Sequence, residues 1–469
     1  MGCSPSKSSH SHKTKTTTPA IDPHSKRNVN RTTSHGPNEL LLSDDVVQSG
    51  SAQNFNNQSN SDDSETSSVA EKQFFCGTDV SVEWLMQKLC EKYKTPPIPA
   101  PQHIIEKLNK YIEKDLDRTL VLRVTFGWEH EVLPRSVVLK ICSKQTREDQ
   151  SPAGKLSVKM FFRECHVYEW LQKQKKASVP KIFLIHKTPT EECNESVIIM
   201  EDIAERAVNI EWEDEISVEA VRDLLRLLAQ IHAASRQQKS EWTTVITPNN
   251  AQFYRQLSMF IGNAATAWTN LDDERLSKLL ELTDSRYLAK TVNLAAKKMN
   301  CEVCLIHGNP IARNFFLTNR REVAAIIDWT QVHPGCFGED VAKAICWNLT
   351  EKERKANLKK LLEYYHFSLL KYSEGSANDV TMECVERTYN FFLPMAAVTY
   401  LMFLPEDLKM ASPYLLERAQ SLINDSLEMV AGIAPLATLN DVETEDIEYP
   451  VDEEPEKPDD LTRTIVKPE

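Results

Sequence analysis

No run of apolar residues in this 469-residue chain is long enough to cross a bilayer. The longest, FFLPMAAVTYLMFLP, spans about 15 residues where a membrane helix needs about 20, and Pro394 interrupts it. It reads as a buried helix instead. No secretory apolar segment opens the sequence, and its 11 cysteines lack the spacing of a disulfide framework. That predicts a reducing, cytosolic setting. Walker A, G-x-S-x-G and H-E-x-x-H patterns do not occur, which removes the simplest P-loop, serine-hydrolase and zinc-protease readings. Cys301-x-x-Cys304, with His307 three residues on, is half a zinc site without a second pair, so these thiols read as packed. Basic surface is scarce as well. Net charge is −13, with the acids in the body and the C-terminal tail, which argues against a nucleic-acid partner.

Both ends lack what a core requires. Residues 1–70 are Ser, Thr, Asn, His and Lys with almost no aromatics, too little apolar area to offset the entropy of ordering; they read as a disordered tether. Residues 436–469 are rich in acids and prolines and read as a solvated, disordered tail. The opening MGCSPSK fits N-myristoylation at Gly2, with Ser6 at the favoured hydroxyl position and Cys3 placed for palmitoylation. Between Lys7 and Arg31 there are six Lys/Arg against one acid, Asp22. Two acyl chains, or one plus a basic arm, make a stable anchor where one chain is marginal. The expectation is a protein on the cytoplasmic face of a membrane.

Periodicity organises the middle. VEWLMQKLCEKY places Leu85, Leu89 and Tyr93 on one helical face, ended by the prolines of TPPIPAP. TLVLRVTFGWEHEVLPRSVVLKIC reads as a hairpin turning between Gly127 and Pro134. KMFFRECHVYEWLQKQ reads as a helix, and KIFLIHK and SVIIMEDI as strands. From Ser217 onward helices dominate: Val221, Leu224, Leu225, Leu228 and Ile231 line one face, and short strands are expected only around Leu305, Phe315 and Ile326. The division is an N-lobe over 71–200 and a helical C-lobe over 201–435, joined near Met200 to Ile203. The predicted fold class is α+β, bilobal and protein-kinase-like, with a small β-rich N-lobe and a larger, mainly helical C-lobe.

The segments VVLKIC, FFRECHVYEWL, SVIIMEDI, LLAQIHAAS, LIHGNPIARNFF, AAIIDWTQVHPGCFGEDVAKAI and LLEYYHFSLL occur in an order that resembles a known group. It is the choline-kinase-like (CHK, or ecdysteroid-kinase-like) branch of the aminoglycoside phosphotransferase, protein-kinase-like superfamily. The resemblance implies transfer of phosphate from ATP, with Mg2+, to a hydroxyl group of a small metabolite. Lys140 would reach the α/β-phosphates, with Glu164 orienting it as an ion pair. Glu201 and Ile203 would offer backbone groups to the adenine edge. Asp328 and Asn314 would hold the metal. His307 would prop the loop, and Asp340 would cap the helix that follows. His366 reads as a packing histidine.

Two positions depart from that pattern. The resemblance implies HGD, whose Asp orients the acceptor hydroxyl, but Asn309 stands there. A carboxamide has no basic lone pair near neutral pH, and general-base help is worth about 10²–10⁴ in rate. There is also no glycine between Gly77 and Gly127. The segment expected to cradle phosphate, IIEKLNKYIEKDLDRTLVL, has helix-like spacing and acids. These losses predict a membrane-tethered pseudokinase that acts by binding. Because phosphoryl transfer depends mostly on positioning, the alternative is an active or slow ATP-dependent small-molecule kinase. Neither reading identifies a protein partner.

Overall fold

The computed structural model describes residues 74–109, 118–128, 130–174, 177–210, 216–268, 271–405 and 407–431. Gly2, Cys3, the basic arm and the acidic tail lie outside them.

Helix α1 (Val82–Tyr93) starts where the Ser81 hydroxyl accepts the Trp84 N–H and stops at Lys94 in the left-handed region, φ 56°. Strands β1 (His103–Lys107), β2 (Leu120–Phe126) and β3 (Ser136–Cys142) follow. Then come α2 (Lys144–Glu148), α3 (Pro152–Leu171), β4 (Ile182–His186) and β5 (Ser196–Glu201). The five strands form one antiparallel sheet in the order β1-β2-β3-β5-β4. The helix-like spacing expected from Ile104 onward is therefore corrected: His103–Lys107 is extended and pairs with β2. Five residues of ambiguous period took their conformation from a sheet edge that local spacing does not reveal.

Alternation divides this sheet. Leu122, Val124, Val137, Leu139 and Ile141 face α1 and pack with Leu85 and Leu89 in the small core. Each such side chain contributes about 1.5–3 kcal/mol on burial. The opposite face of β2 and β3 carries Arg123, Val138 and Lys140. That face is turned toward the larger lobe.

The larger lobe contains a two-residue strand β6 (Val208–Asn209), then α4 (Val218–Gln237), α5 (Lys239–Trp242), α6 (Ala251–Thr266), α7 (Asp273–Thr283) and α8 (Ser285–Met299). Short strands β7 (Cys304–Ile306), β8 (Phe315–Leu317), β9 (Val323–Ile326) and β10 (His333–Gly335) come next. Helices α9 (Gly338–Asn348), α10 (Glu351–Tyr372), α11 (Met382–Tyr400) and α12 (Pro413–Val430) complete it. Strand β6 escaped the sequence reading because it is only two residues long, and β10 because its sequence, HPG, contains two residues that disfavour strands. The apolar run containing Pro394 is helical and buried in α11, and no helix among the described residues is long and apolar enough to span a membrane.

Helix α9 is buried at all eleven positions although it carries Glu339, Asp340, Lys343 and Asn348. Buried polar groups at that density require partners. Asp340, Lys343 and Asn348 find them in the loop between β7 and β8.

Candidate functional site

The loop begins at His307. Its backbone N–H and that of Gly308 both donate to Asp340, at 2.7 and 2.9 Å. Asp340 also meets His232 Nε2 at 3.1 Å, and His232 Nδ1 meets the Tyr365 hydroxyl at 2.9 Å. Burial opposes ionisation of Asp340, but the contact with His232 and the Gly308 N–H hold its pKa below the ordinary carboxylate value. Asp340 therefore does not cap α9, as expected from the sequence. That helix starts at Phe337 without a side-chain cap, and the carboxylate reaches back to the loop. A residue inside a first turn can look like a cap in sequence while its side chain serves another segment.

Gly308 adopts φ 82°, and a Cβ there would come within 2.7 Å of the Gln331 carbonyl oxygen. The position admits glycine for both reasons. Lys343 donates to the Gly308 carbonyl at 2.8 Å and pairs with Glu339 at 2.7 Å. His307 Nε2 meets the Ile327 carbonyl at 3.0 Å and its Nδ1 accepts the Asn309 N–H at 3.1 Å. Its ring stands edge-on to Trp329 at 4.5 Å. His307 thus ties the loop to the strand ahead of Asp328.

Burial holds His307 below the usual imidazole value of about 6.5. The folded ring stays neutral while the unfolded one protonates, so its stabilising contribution is complete above about pH 6.5 and declines below it. Between pH 7 and 5 the melting temperature of the native chain should fall more steeply than that of a His307→Gln variant. Parallel slopes would assign the acid sensitivity to another group.

Asn309 is buried, and its Oδ1 has no hydrogen-bond partner among the described residues. Its backbone carbonyl accepts Asn314 Nδ2 at 2.9 Å. That bond orients the Asn314 amide and leaves its Oδ1 as the atom for a cation.

Asp328 adopts φ 60°, a region in which a residue with a Cβ is strained and which functional sites often retain. Its Oδ1 accepts from Lys140 Nζ at 3.3 Å and from Thr330 at 2.8 Å. Its side chain is 27% exposed. Burial disfavours its charge, but the Lys140 ammonium, the Thr330 hydroxyl and the Arg313 guanidinium keep its pKa low. Lys140 also pairs with Glu164 at 2.7 Å, and the other Glu164 oxygen accepts the Trp329 N–H at 3.3 Å. The sheet, α3 and the segment around Asp328 therefore meet at one ammonium. Helix α3 is fixed from its far side too: buried Arg163 bonds to Asn249 and to the Pro248 carbonyl. With neutral partners only, burial lowers the Arg163 pKa to about 10.

Glu201 and Ile203 lie on the connector, as the sequence places them, but two of their backbone groups are engaged. The Glu201 N–H donates to Lys181, and the Ile203 carbonyl accepts the N–H groups of Arg206 and Ala207. The Glu201 carboxylate pairs with Arg206 at 2.6 Å. Sequence reasoning missed the residue beside them. Arg123, opposite Val138 on the Lys140 face, pairs with Asp202 at 2.8 Å and Glu106 at 2.7 Å. Ser136 donates to the same Asp202 at 2.7 Å. Strand alternation in LVLRVTF could have flagged an inward-facing arginine.

The donor set at the lower end fits magnesium: one carboxylate and one amide oxygen, both hard, suit an ion that takes its remaining ligands from phosphates and water. Lys140 lies where it could meet those phosphates. The connector end offers an ion-pair network where an aromatic base would need apolar cover.

Residues 119–434 match the model of a family, DUF1679, described as "Uncharacterized oxidoreductase dhs-27". The chain belongs to the DUF1679 family. The description belongs to dhs-27. In this DUF1679 member no two of the 12 glycines are one residue apart, so the G-x-G dinucleotide fingerprint does not occur. No curated protein sequence matches it. Among solved structures it is similar to a putative aminoglycoside phosphotransferase from Ralstonia eutropha JMP134, with 12% identity and a TM-score of 0.45 over 74% of this chain and 97% of that one. It is also similar to choline kinase from Cryptosporidium parvum Iowa II, with 11% identity and a TM-score of 0.46 over 72% and 91%. A third likeness is to the ADP-bound aminoglycoside phosphotransferase APH(2'')-Ib, with 14% identity and a TM-score of 0.36 over 69% and 93%. The protein-kinase-like fold itself is read from the chain's own elements: the five-stranded sheet, the Lys140–Glu164 pair and the loop-and-strand arrangement around Asn314 and Asp328.

Proposed function

We propose that this protein is a pseudokinase: a phosphotransferase-fold protein that binds in its cleft and does not turn over efficiently. The observation that carries this reading is the state of the carboxylates around the loop. Asp328 is committed to Lys140 and Thr330, and Asp340 to the loop backbone and His232. Glu339 is committed to Lys343 and His333. At the position of the hydroxyl-orienting group there is only the Asn309 amide, which cannot take a proton at neutral pH. Asn314 and Asp328 would hold Mg2+, which would supply charge neutralisation at the phosphates; Lys140 would orient them.

The expected result with purified full-length protein is a rise in melting temperature with Mg2+–ATP only at high nucleotide concentration, abolished by Asp328→Ala. No phosphorylation of a panel of hydroxylated small molecules should be detectable. A second reading, a slow small-molecule kinase, is favoured by the intact Lys140–Glu164 pair. Turnover by the native chain that disappears in Asp328→Ala would replace the first reading with the second.

We further propose that Gly2 and Cys3 carry acyl chains and tether the protein to the cytoplasmic face of a membrane. This rests on the MGCSPSK opening and the basic arm. Cells fed an alkynyl myristate analogue should label the native chain and not Gly2→Ala, which should move to the soluble fraction. Equal membrane recovery of both would remove the tether from this reading.

A further inference from the structure

None of the bonds that shape the HGN loop involves sulfur, yet thiols converge behind it. Cys301 follows the left-handed cap of α8 at Asn300 and stands just ahead of β7. Cys336 follows β10 and stands just ahead of α9. Strands β7 and β10 are antiparallel with Gly335 opposite Cys304. Continuing that register sets Cys336 opposite Val303, two residues from Cys301 and diagonal to it, and the two cysteine sulfurs lie 3.2 Å apart as free thiols. A disulfide requires about 2.05 Å, so closure asks for roughly an ångström of movement. Cys304 is placed differently, buried with its Sγ 3.7 Å from the Gly335 carbonyl oxygen.

The two thiols differ in access and in charge. Cys301 is half-buried and Cys336 buried. The hydrogen bond with Cys336 and the guanidinium of Arg236 favour the Cys301 thiolate against the effect of burial. The bond to Cys301 and burial push the Cys336 thiol up. A half-buried, thiolate-prone sulfur beside a fully buried thiol is the arrangement of an attacking and a resolving cysteine.

We propose that Cys301 and Cys336 form an oxidisable dithiol, a modification site at which a hydroperoxide converts the pair into a disulfide. In the first step the Cys301 thiolate attacks the peroxide oxygen. The O–O bond breaks, an alcohol or water leaves, and Cys301 becomes a sulfenic acid. In the second, the Cys336 sulfur attacks the Cys301 sulfur. The S–O bond breaks, the hydroxide leaves as water with the Cys336 proton, and the S–S bond forms. The two sulfurs together lose two electrons, and the peroxide gains them. The new bond joins the approach to β7 to the segment just ahead of α9, while Asp340 of α9 binds the His307 and Gly308 N–H groups at the other end of β7.

The test uses reduced full-length protein exposed to a small excess of hydrogen peroxide, then alkylated, digested and mapped by mass spectrometry. The expected product is a Cys301–Cys336 cross-linked peptide pair, two hydrogens lighter than the separate peptides. It should be reversed by dithiothreitol and form at least about tenfold faster than any link between other cysteines. In Cys336→Ser the Cys301 product should persist as a sulfenic acid that dimedone traps, and in Cys301→Ser residue 336 should stay reduced. Over-oxidation of Cys301 with Cys336 still free would overturn the proposal, as would equal alkylation of Cys301 before and after peroxide. Mapping of the unmutated chain decides the matter even where a variant does not fold.

Discussion

Replacing Asn309 with Asp is expected to raise phosphorylation of a suitable hydroxylated acceptor by about 10²–10⁴-fold over the native chain. The two side chains are nearly isosteric, and the loop is held by the His307 and Gly308 backbone, so its path should not change. The Asn309 Oδ1 has no partner among the described residues and sits in a buried position. A carboxylate introduced there is desolvated, which raises its pKa toward the range where it can take up a proton. The cost is stability, because a buried charge without a partner is unfavourable. Both effects are measurable: turnover by coupled nucleotide consumption on a panel of hydroxylated small molecules, and stability by thermal melting. If nucleotide still shifts the melting temperature of Asn309→Asp but no substrate is turned over, the role proposed for position 309 is wrong. Attention would then pass to the connector, where Arg123 is clamped between Glu106 and Asp202.

Asp340→Ala should be the most damaging single substitution for stability around the loop. It leaves the His307 and Gly308 N–H groups without their acceptor and removes one of the two partners of His232, all in a fully buried setting. Each unsatisfied buried donor costs about 1–3 kcal/mol, more where the lost acceptor was a carboxylate. Losses of that size lower the melting temperature of a chain this large by on the order of 10 °C. Asp340→Asn should be nearly as costly, because its amide group would present N–H groups to N–H groups. A shift of less than about 2 °C for Asp340→Ala, measured by calorimetry, would mean that the loop is held by its other contacts.

Much of this architecture is legible in the chain because its long elements are strongly periodic. The stripe of Val221, Leu224, Leu225, Leu228 and Ile231 on α4 is buried at every position. The hairpin predicted around Gly127 is the β2–β3 pair. His307, Asn309, Asn314 and Asp328 could be picked out because a fixed loop geometry demands fixed spacing, and the structure brings them together with Lys140 and Glu164. Residues 103–107 were misjudged because their conformation comes from hydrogen bonds to β2. Asp340 was misassigned because its partners lie more than 30 residues away in the chain.

By itself the sequence determined the lobes' composition, the periodicity that makes their helices and strands, and the chemical identity of the groups in the cleft. The amide at position 309 is such a fact: no folding can give it the proton affinity of a carboxylate. What the tertiary structure alone decided is which groups face one another. The Lys140–Glu164 pair is expected from the family resemblance. The structure adds that Lys140 also meets Asp328, that Arg123 is sealed by two acids, and that Cys301 lies against Cys336 rather than pairing with Cys304. These meetings join residues 17 to 188 positions apart. Contacts at that range are set by sheet register and helix packing, which depend on the whole core and leave no local trace in the order of residues.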